Sequence, residues 1–104
     1  MQVSKSDILN YLSFLKSELS SKGIEQIALF GSYAKDSQNV YSDIDIAIKK
    51  DKTILEKNGV YYYFEVLNSI KNSIQKKFHR NVDIFDLDSN SELKKTIEKE
   101  LLYV

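Results

Sequence analysis

The sequence predicts an α/β or α+β fold in which a small mixed sheet is backed by helices. Two long segments repeat apolar residues at helical spacing, and three short apolar runs end at turn residues or polar stretches. Their order along the chain is helix, strand, strand, helix, strand, helix. Helices interspersed with strands in this way favour a layered fold over a helical bundle or an all-β domain.

The first helix is predicted near the N-terminus. Ser4 or Ser6 can cap it, and Asp7 then lies in the first turn, where a negative charge is favourable. Gly23 is well placed to end it. The apolar stripe of this helix comprises Ile8, Leu12, Leu15 and Leu19.

Two strands are predicted next. Residues 26–30 form a short buried strand that Gly31 and Ser32 break into a turn, and residues 33–41 form a short helical turn and loop. Residues 43–48 form the second strand. Its period-two alternation places Asp43 and Asp45 on one face and the isoleucines on the other.

The second half is predicted to contain a loop, two helices and a strand. Residues 49–59 are polar and form the loop, a long helix covers 60–78, and a third strand covers 82–87. The last helix starts near Asn90 or Ser91. The residues expected to face the core are Phe64, Leu67, Ile70, Ile74 and Phe78 of the long helix and Leu93, Ile97 and Leu101 of the last one.

Composition narrows the possible functions. With 104 residues we expect one domain over 1–104, too small to contain a second substrate-binding domain. Fifteen basic and fifteen acidic residues cancel, so direct nucleic-acid binding and membrane association are not expected. The absence of cysteine excludes disulfides and thiolate zinc sites and is compatible with a reducing cytoplasm. With one histidine, catalysis must use carboxylates, hydroxyls, lysines and bound metal.

The segment from Gly31 to Asp45 carries most of the functional information. Aspartate is depleted in strands, yet Asp43 and Asp45 occur inside an apolar run. Paired carboxylates supply the hard oxygen ligands that magnesium prefers, and the small-residue turn lets a phosphate approach the backbone. The pattern indicates a site for a metal-bound nucleotide.

This constellation resembles the nucleotidyltransferase superfamily that includes DNA polymerase beta. The motifs are Ile-Ala-Leu-Phe-Gly-Ser (27–32), Ser-Asp-Ile-Asp (42–45) and Asn-Val-Asp-Ile (81–84), and the resemblance covers most of the chain. It is strongest to the minimal nucleotidyltransferases, which are antitoxins paired with HEPN-domain toxins. The family commonly continues its turn as Gly-Ser-x-Ala-Arg-Gly, whereas this chain has Lys35 and Asp36.

The resemblance implies roles for six residues. Asp43, Asp45 and Asp83 are the expected catalytic metal ligands, holding two Mg²⁺ ions or Mn²⁺, while Asp86 and Asp88 compete with Asp83 for the third position. The residues expected to bind the nucleotide phosphates are Gly31, Ser32 and Lys35.

The resemblance also implies a reaction and a partner. The expected function is transfer of AMP from ATP to a hydroxyl of a HEPN toxin, with a tyrosine as the expected acceptor, so that this chain acts as an antitoxin in a hetero-oligomer. One alternative is a nucleotidyltransferase that modifies a small molecule of the aminoglycoside type with a helical partner chain. Another is an antitoxin that acts by binding alone.

Overall fold

Four strands form a mixed sheet in the order β3-β2-β1-β4. The structure is a computed structural model that describes residues 2–88 and 92–104, without the side chain of Leu93. The elements are α1 (Lys5–Ser21), β1 (Ile24–Phe30), β2 (Ile44–Lys50), α2 (Ile54–Phe78), β3 (Val82–Asp86), α3 (Glu92–Ile97) and β4 (Leu102–Tyr103).

Strand β2 lies between an antiparallel neighbour and a parallel one. It runs antiparallel to β1 and parallel to β3, and β4 pairs antiparallel with the other edge of β1. Parallel neighbours require a long crossover, which α2 provides. The predicted mixed sheet backed by helices is therefore confirmed.

Helix α1 begins as the sequence indicates. Ser4 caps it: the Ser4 side chain accepts a hydrogen bond from the Asp7 backbone amide, and the Asp7 side chain accepts one from the Ser4 amide, each at 3.1 Å. All four residues of the predicted apolar stripe are buried. Gly23 follows the helix with a φ of +97°, in the left-handed region that favours glycine.

Helix α2 differs from the prediction at its start and on its inner face. It begins at Ile54 and continues across a kink at Gly59, whose φ is +84°, so part of the predicted 49–59 loop is helical. Phe64 is 55% exposed, which makes its assignment to the core wrong, and Leu67 is half-buried. The buried residues of the helix are Ile54, Tyr63, Val66, Ile70, Ile74 and Phe78.

Each face of the sheet has its own apolar cluster. Helices α1 and α2 cover one face, where Ile44, Ile46 and Ile48 are fully buried. The opposite face carries a smaller cluster to which Ile97 of α3 contributes. Its buried members are Ala28, Phe30, Ala47, Leu87 and Ile97.

The remaining differences concern element ends. Strand β1 starts two residues before the predicted 26–30, β2 extends two residues past the predicted 43–48, and β3 ends one residue before the predicted 82–87. Strand β4 was not predicted. The predicted start of the last helix at Asn90 or Ser91, and the inward-facing Leu93 side chain, lie outside the described residues. Within the described ranges, no helix is long and apolar enough to cross a membrane.

Candidate active site

Asp45 and Asp83 lie opposite each other on neighbouring strands. The parallel register of β2 and β3 pairs these two residues, and it also pairs Ile44 with Val82 and Ile46 with Ile84. Residues paired in this way have side chains on the same face of the sheet. The isoleucines fill the face under α1 and α2, so both carboxylates belong to the opposite face.

Asp43 adds a third carboxylate next to this pair. It comes just before β2 and is exposed, as is Asp83, whereas Asp45 is half-buried. Burial, together with the negative charges of Asp83 and Asp43, raises the pKa of Asp45 from 3.8 to about 6. Asp45 is therefore the carboxylate of the three whose ionisation the surroundings oppose.

Asp86, a competitor for the third position, belongs to another network. It lies three residues after Asp83 on β3 and accepts hydrogen bonds from Lys50 Nζ at 2.8 Å and from the Tyr63 hydroxyl at 2.5 Å. Burial raises the pKa of Asp86, but the hydrogen bonds from Lys50 and Tyr63 outweigh it and leave the pKa below its usual value. Asp86 therefore faces α2, away from Asp45.

Asp88 does not join the carboxylate pair either. It is exposed in the turn after β3, and its carboxylate is 3.6 Å from Lys50 Nζ. Asp83 is thus the one of the three candidates that the register places beside Asp45.

Gly31 is in direct contact with the carboxylate site. Its φ is +77°, and a Cβ atom built there would collide with Asp45 Oδ2 and lie 3.0 Å from Asp45 Cγ. A glycine is needed here for both reasons. The turn that follows has the hydrogen bonds of one helical turn, from the amides of Lys35 and Ser37 to the Ser32 carbonyl. The first amides of such a turn have no acceptor within it and point outward.

Lys35 and Asp36, which depart from the common family pattern, are both ion-paired. Lys35 Nζ lies 2.7 Å from Glu100 Oε1, and Lys5 Nζ of α1 lies 2.9 Å from Asp36 Oδ2. Asp36 has a φ of +57°, so it adopts the left-handed conformation that a glycine would take, which aspartate tolerates. The negative charge of Asp36 is compensated by Lys5, and the positive charge of Lys35 by Glu100.

Glu100 was not predicted from the sequence to belong to the site. It is the carboxylate that holds Lys35, and its side chain is 24% exposed. Glu100 lies among alternating lysines and glutamates that look like a solvated helix face. No local pattern distinguishes it, because its partner Lys35 is far away along the chain.

The donor set fits a hard divalent cation, although no ready-made metal site is present. Within the described ranges, no three acidic or histidine side chains are close enough together to hold an ion as they stand. Burial and, to a lesser extent, repulsion from Asp83 and Asp43 raise the pKa of Asp45, and a cation beside the carboxylates would stabilise its ionised form. Carboxylate oxygens are also the ligands that Mg²⁺ and Mn²⁺ prefer. Asp43, Asp45 and Asp83 are the residues that would hold it.

Comparison with known proteins decides the family. The sequence profile described as "Polymerase beta, Nucleotidyltransferase" matches residues 14–104. The chain belongs to this family. It is a nucleotidyltransferase, and its mixed sheet with flanking helices is the fold of the minimal members.

Relatives in Methanocaldococcus jannaschii support the same assignment. One, named as a candidate protein adenylyltransferase, is 34% identical over 102 residues, which cover 95% of this nucleotidyltransferase and 96% of the relative. A second protein with the same description is 37% identical over 83 residues, covering 78% and 77% of the two chains.

Solved structures agree with the fold. A structure described as a candidate minimal nucleotidyltransferase superposes with a TM-score of 0.74 at 15% identity, covering 97% of this chain and 96% of the other. A mutant of the toxin–antitoxin complex MntA–HpeT gives 0.60 at 20% identity, covering 97% and 71%. A toxin–antitoxin structure with AMP-PNP gives 0.56 at 25% identity, covering 88% and 63%.

Proposed function

We propose that this nucleotidyltransferase transfers AMP from ATP, with Mg²⁺, to a tyrosine hydroxyl of a HEPN-domain toxin and thereby acts as an antitoxin. The observation that carries the proposal is the pairing of Asp45 with Asp83 next to the Gly31 turn. Paired carboxylates beside a turn with outward-facing amides suit a metal-bound triphosphate. This arrangement has no purpose in a protein that acts by contact alone.

In the proposed step, the acceptor oxygen attacks the α-phosphorus of ATP. A new O–P bond forms, the bond from the α-phosphorus to the oxygen bridging the β-phosphorus breaks, and pyrophosphate leaves with that electron pair. In this proposal Asp83 receives the hydroxyl proton, and the turn after Gly31 binds the leaving phosphates. The divalent cations would neutralise the phosphate charge and lower the pKa of the acceptor hydroxyl.

The comparisons support the acceptor being a protein. The relatives are named as protein adenylyltransferases, and two of the similar structures are toxin–antitoxin complexes, one of them with AMP-PNP. The exposed position of Asp43 and Asp83 also fits a bulky acceptor, because a partner chain can reach them without passing through a narrow cavity.

The decisive experiment mixes this chain with its cognate toxin, ATP and Mg²⁺ and measures the intact mass of the toxin. We expect increments of one or more AMP units on a tyrosine. Asp83→Asn should abolish the increments, while Asp86→Asn, three residues along the same strand, should lower stability but retain transfer by the folded protein.

Two outcomes would contradict the proposal. Full transfer by Asp83→Asn would remove Asp83 from the site. Protection of cells by a variant in which all three aspartates are asparagine, with no mass change in the toxin, would show an antitoxin that acts by binding alone.

A further inference from the structure

An open groove borders Asp43 on the side away from the phosphate-binding turn. Its volume is about 430 Å³, which is in the range of roughly 300–1,000 Å³ typical of ligand sites. One wall is the loop between β1 and β2, and the other is the junction between α2 and β3. The lining residues are Val40, Tyr41, Ser42, Asp43, Gln75, His79, Arg80 and Asn81.

The loop wall presents an exposed aromatic side chain from a well-defined turn. Tyr41 is 89% exposed and Val40 is 71% exposed, yet hydrogen bonds fix the turn that carries them. Asn39 Oδ1 accepts from the Tyr41 amide at 2.8 Å, and Ser42 Oγ accepts from the Asn39 amide at 2.9 Å. A large aromatic side chain that a hydrogen-bonded turn keeps exposed to solvent is typical of a protein contact surface.

The opposite wall is equally well defined. His79 ends α2 in the left-handed conformation, with its amide donating to the Gln75 carbonyl at 2.7 Å. Arg80 Nη1 donates to the His79 carbonyl at 3.1 Å. Arg80 and Tyr41 thus line one groove, and guanidinium and phenol groups are both planar groups on which an aromatic side chain can stack.

The position of the groove relative to the carboxylates matters for the reaction. Gly31 ends β1, which lies on one side of β2, while Asn81 precedes β3, which lies on the other. Asp43 and Asp45 lie between them. In a displacement at phosphorus, the attacking and leaving oxygens are roughly in line, so the acceptor must approach from the side opposite the leaving pyrophosphate.

We infer that this groove receives the tyrosine-bearing segment of the partner toxin, with Tyr41 as the main contact residue. The inference rests on the proposed function, and it adds the surface through which the acceptor protein is recognised. In this arrangement the acceptor ring lies between Tyr41 and Arg80, and its hydroxyl points toward Asp43 and Asp83. ATP occupies the other side of β2.

The test compares Tyr41→Ser with Tyr61→Ser. Tyr61 is a matched control because it is 87% exposed but lies on α2 outside the groove. We expect Tyr41→Ser to raise the KM for the toxin about tenfold, as loss of a central aromatic contact does, with an unchanged Kd for ATP. Tyr61→Ser should change neither. An unchanged KM in Tyr41→Ser, or an equal loss in Tyr61→Ser, would overturn the inference.

A cross-linking measurement separates this inference from the proposed function. A photoreactive phenylalanine analogue at position 41 should cross-link the toxin segment that carries the modified tyrosine, and a cross-link to any other segment would contradict the groove assignment. If the wild-type chain binds the toxin but transfers no AMP, the proposed function fails. The groove is then judged by the toxin Kd of Tyr41→Ser alone: a tenfold increase supports it and no change refutes it.

Discussion

The carboxylate of Asp45 occupies the space that a side chain at residue 31 would fill. The strand that supplies Asp45 and the strand that ends at Gly31 are antiparallel neighbours, so the register of the sheet brings this turn against the carboxylate. Two requirements, a positive φ and the absence of a Cβ atom, therefore meet at one residue that does no chemistry itself.

A comparison of two glycine substitutions tests that relationship. Gly31 and Gly59 both have positive φ, at +77° and +84°, but a Cβ atom at residue 59 has no neighbour within 4 Å. We expect Gly59→Ala to lower the free energy of unfolding by about 1 kcal/mol through backbone strain alone. Gly31→Ala should cost about 2–3 kcal/mol, since it also displaces Asp45, and should weaken ATP binding. Equal costs in urea titrations would contradict the steric argument.

The pKa of Asp45 predicts a pH dependence of the metal-free protein. Because the folded pKa is about 6 and the usual value is 3.8, the folded state holds a proton that the unfolded chain releases in this window. Stability should fall as pH rises from about 4 to about 6 and remain lower above that.

Asp45→Asn should therefore stabilise the metal-free protein at pH 7 by about 1 kcal/mol, allowing for partial exposure, and have no such effect near pH 4. Thermal denaturation at both pH values measures this. Saturating Mg²⁺ should reverse the order at pH 7, because the wild type gains binding energy that the variant lacks. An Asp45→Asn variant that is less stable than the wild type in chelator at pH 7 would show that burial and repulsion do not destabilise the ionised carboxylate.

The ion pair between Lys35 and Glu100 predicts a gain in nucleotide affinity when it is removed. Glu100→Gln frees Lys35 to bind the triphosphate. Because ATP binding then no longer has to break this partly exposed ion pair, we expect the affinity for ATP to rise about twofold to fivefold. Glu98→Gln is the control, since Glu98 pairs with Lys94 at 4.0 Å and not with Lys35. Calorimetric titration with ATP and Mg²⁺ gives both Kd values. Weaker binding by Glu100→Gln would mean that Glu100 positions Lys35 for the nucleotide.

The hydrogen bond between Tyr63 and Asp86 predicts a stabilising role for a tyrosine outside the site. Tyr63→Phe removes a 2.5 Å bond to a carboxylate, and hydrogen bonds to charged groups contribute about 1.5–3 kcal/mol. The free energy of unfolding should fall by about that amount at pH 7. The effect should diminish as pH falls through the lowered pKa of Asp86, where the acceptor loses its charge. Tyr61→Phe, on the exposed side of the same helix, should be neutral.

The sequence was most informative where the spacing of apolar side chains along one element determines which face of that element is buried. The apolar stripe of α1 and the alternation of apolar and acidic residues at the start of β2 are local patterns. They indicate the buried face of α1 and which β2 residues lie on each face of the sheet. The inner face of α2 was not predictable in the same way. Four consecutive aromatic residues occupy 61–64, and Tyr63 is the buried one. Its hydroxyl donates to Asp86, a long-range contact that helical spacing cannot reveal.

The choice among the three late aspartates also depended on long-range pairing. Asp83, Asp86 and Asp88 lie within six positions, and each is chemically able to bind a metal. The register between β2 and β3 puts Asp83 and Asp86 on opposite faces of the sheet, and Asp88 lies in the turn after β3. Strand β4 was missed for a related reason, since two residues form no alternation and the strand exists only because β1 offers an edge.

The parallel pairing of β2 with β3 has a consequence for synthesis of the chain. Asp45 leaves the ribosome well before Asp83, and the whole of α2 lies between them. Closing this long connection is entropically costly, so the pair forms only after the crossover helix has packed on the sheet. A nascent or truncated chain that ends before β3 has the turn after Gly31 and two of the three candidate carboxylates but cannot complete the cluster. The proposed site therefore stays incomplete until β3 has been synthesised and has paired with β2.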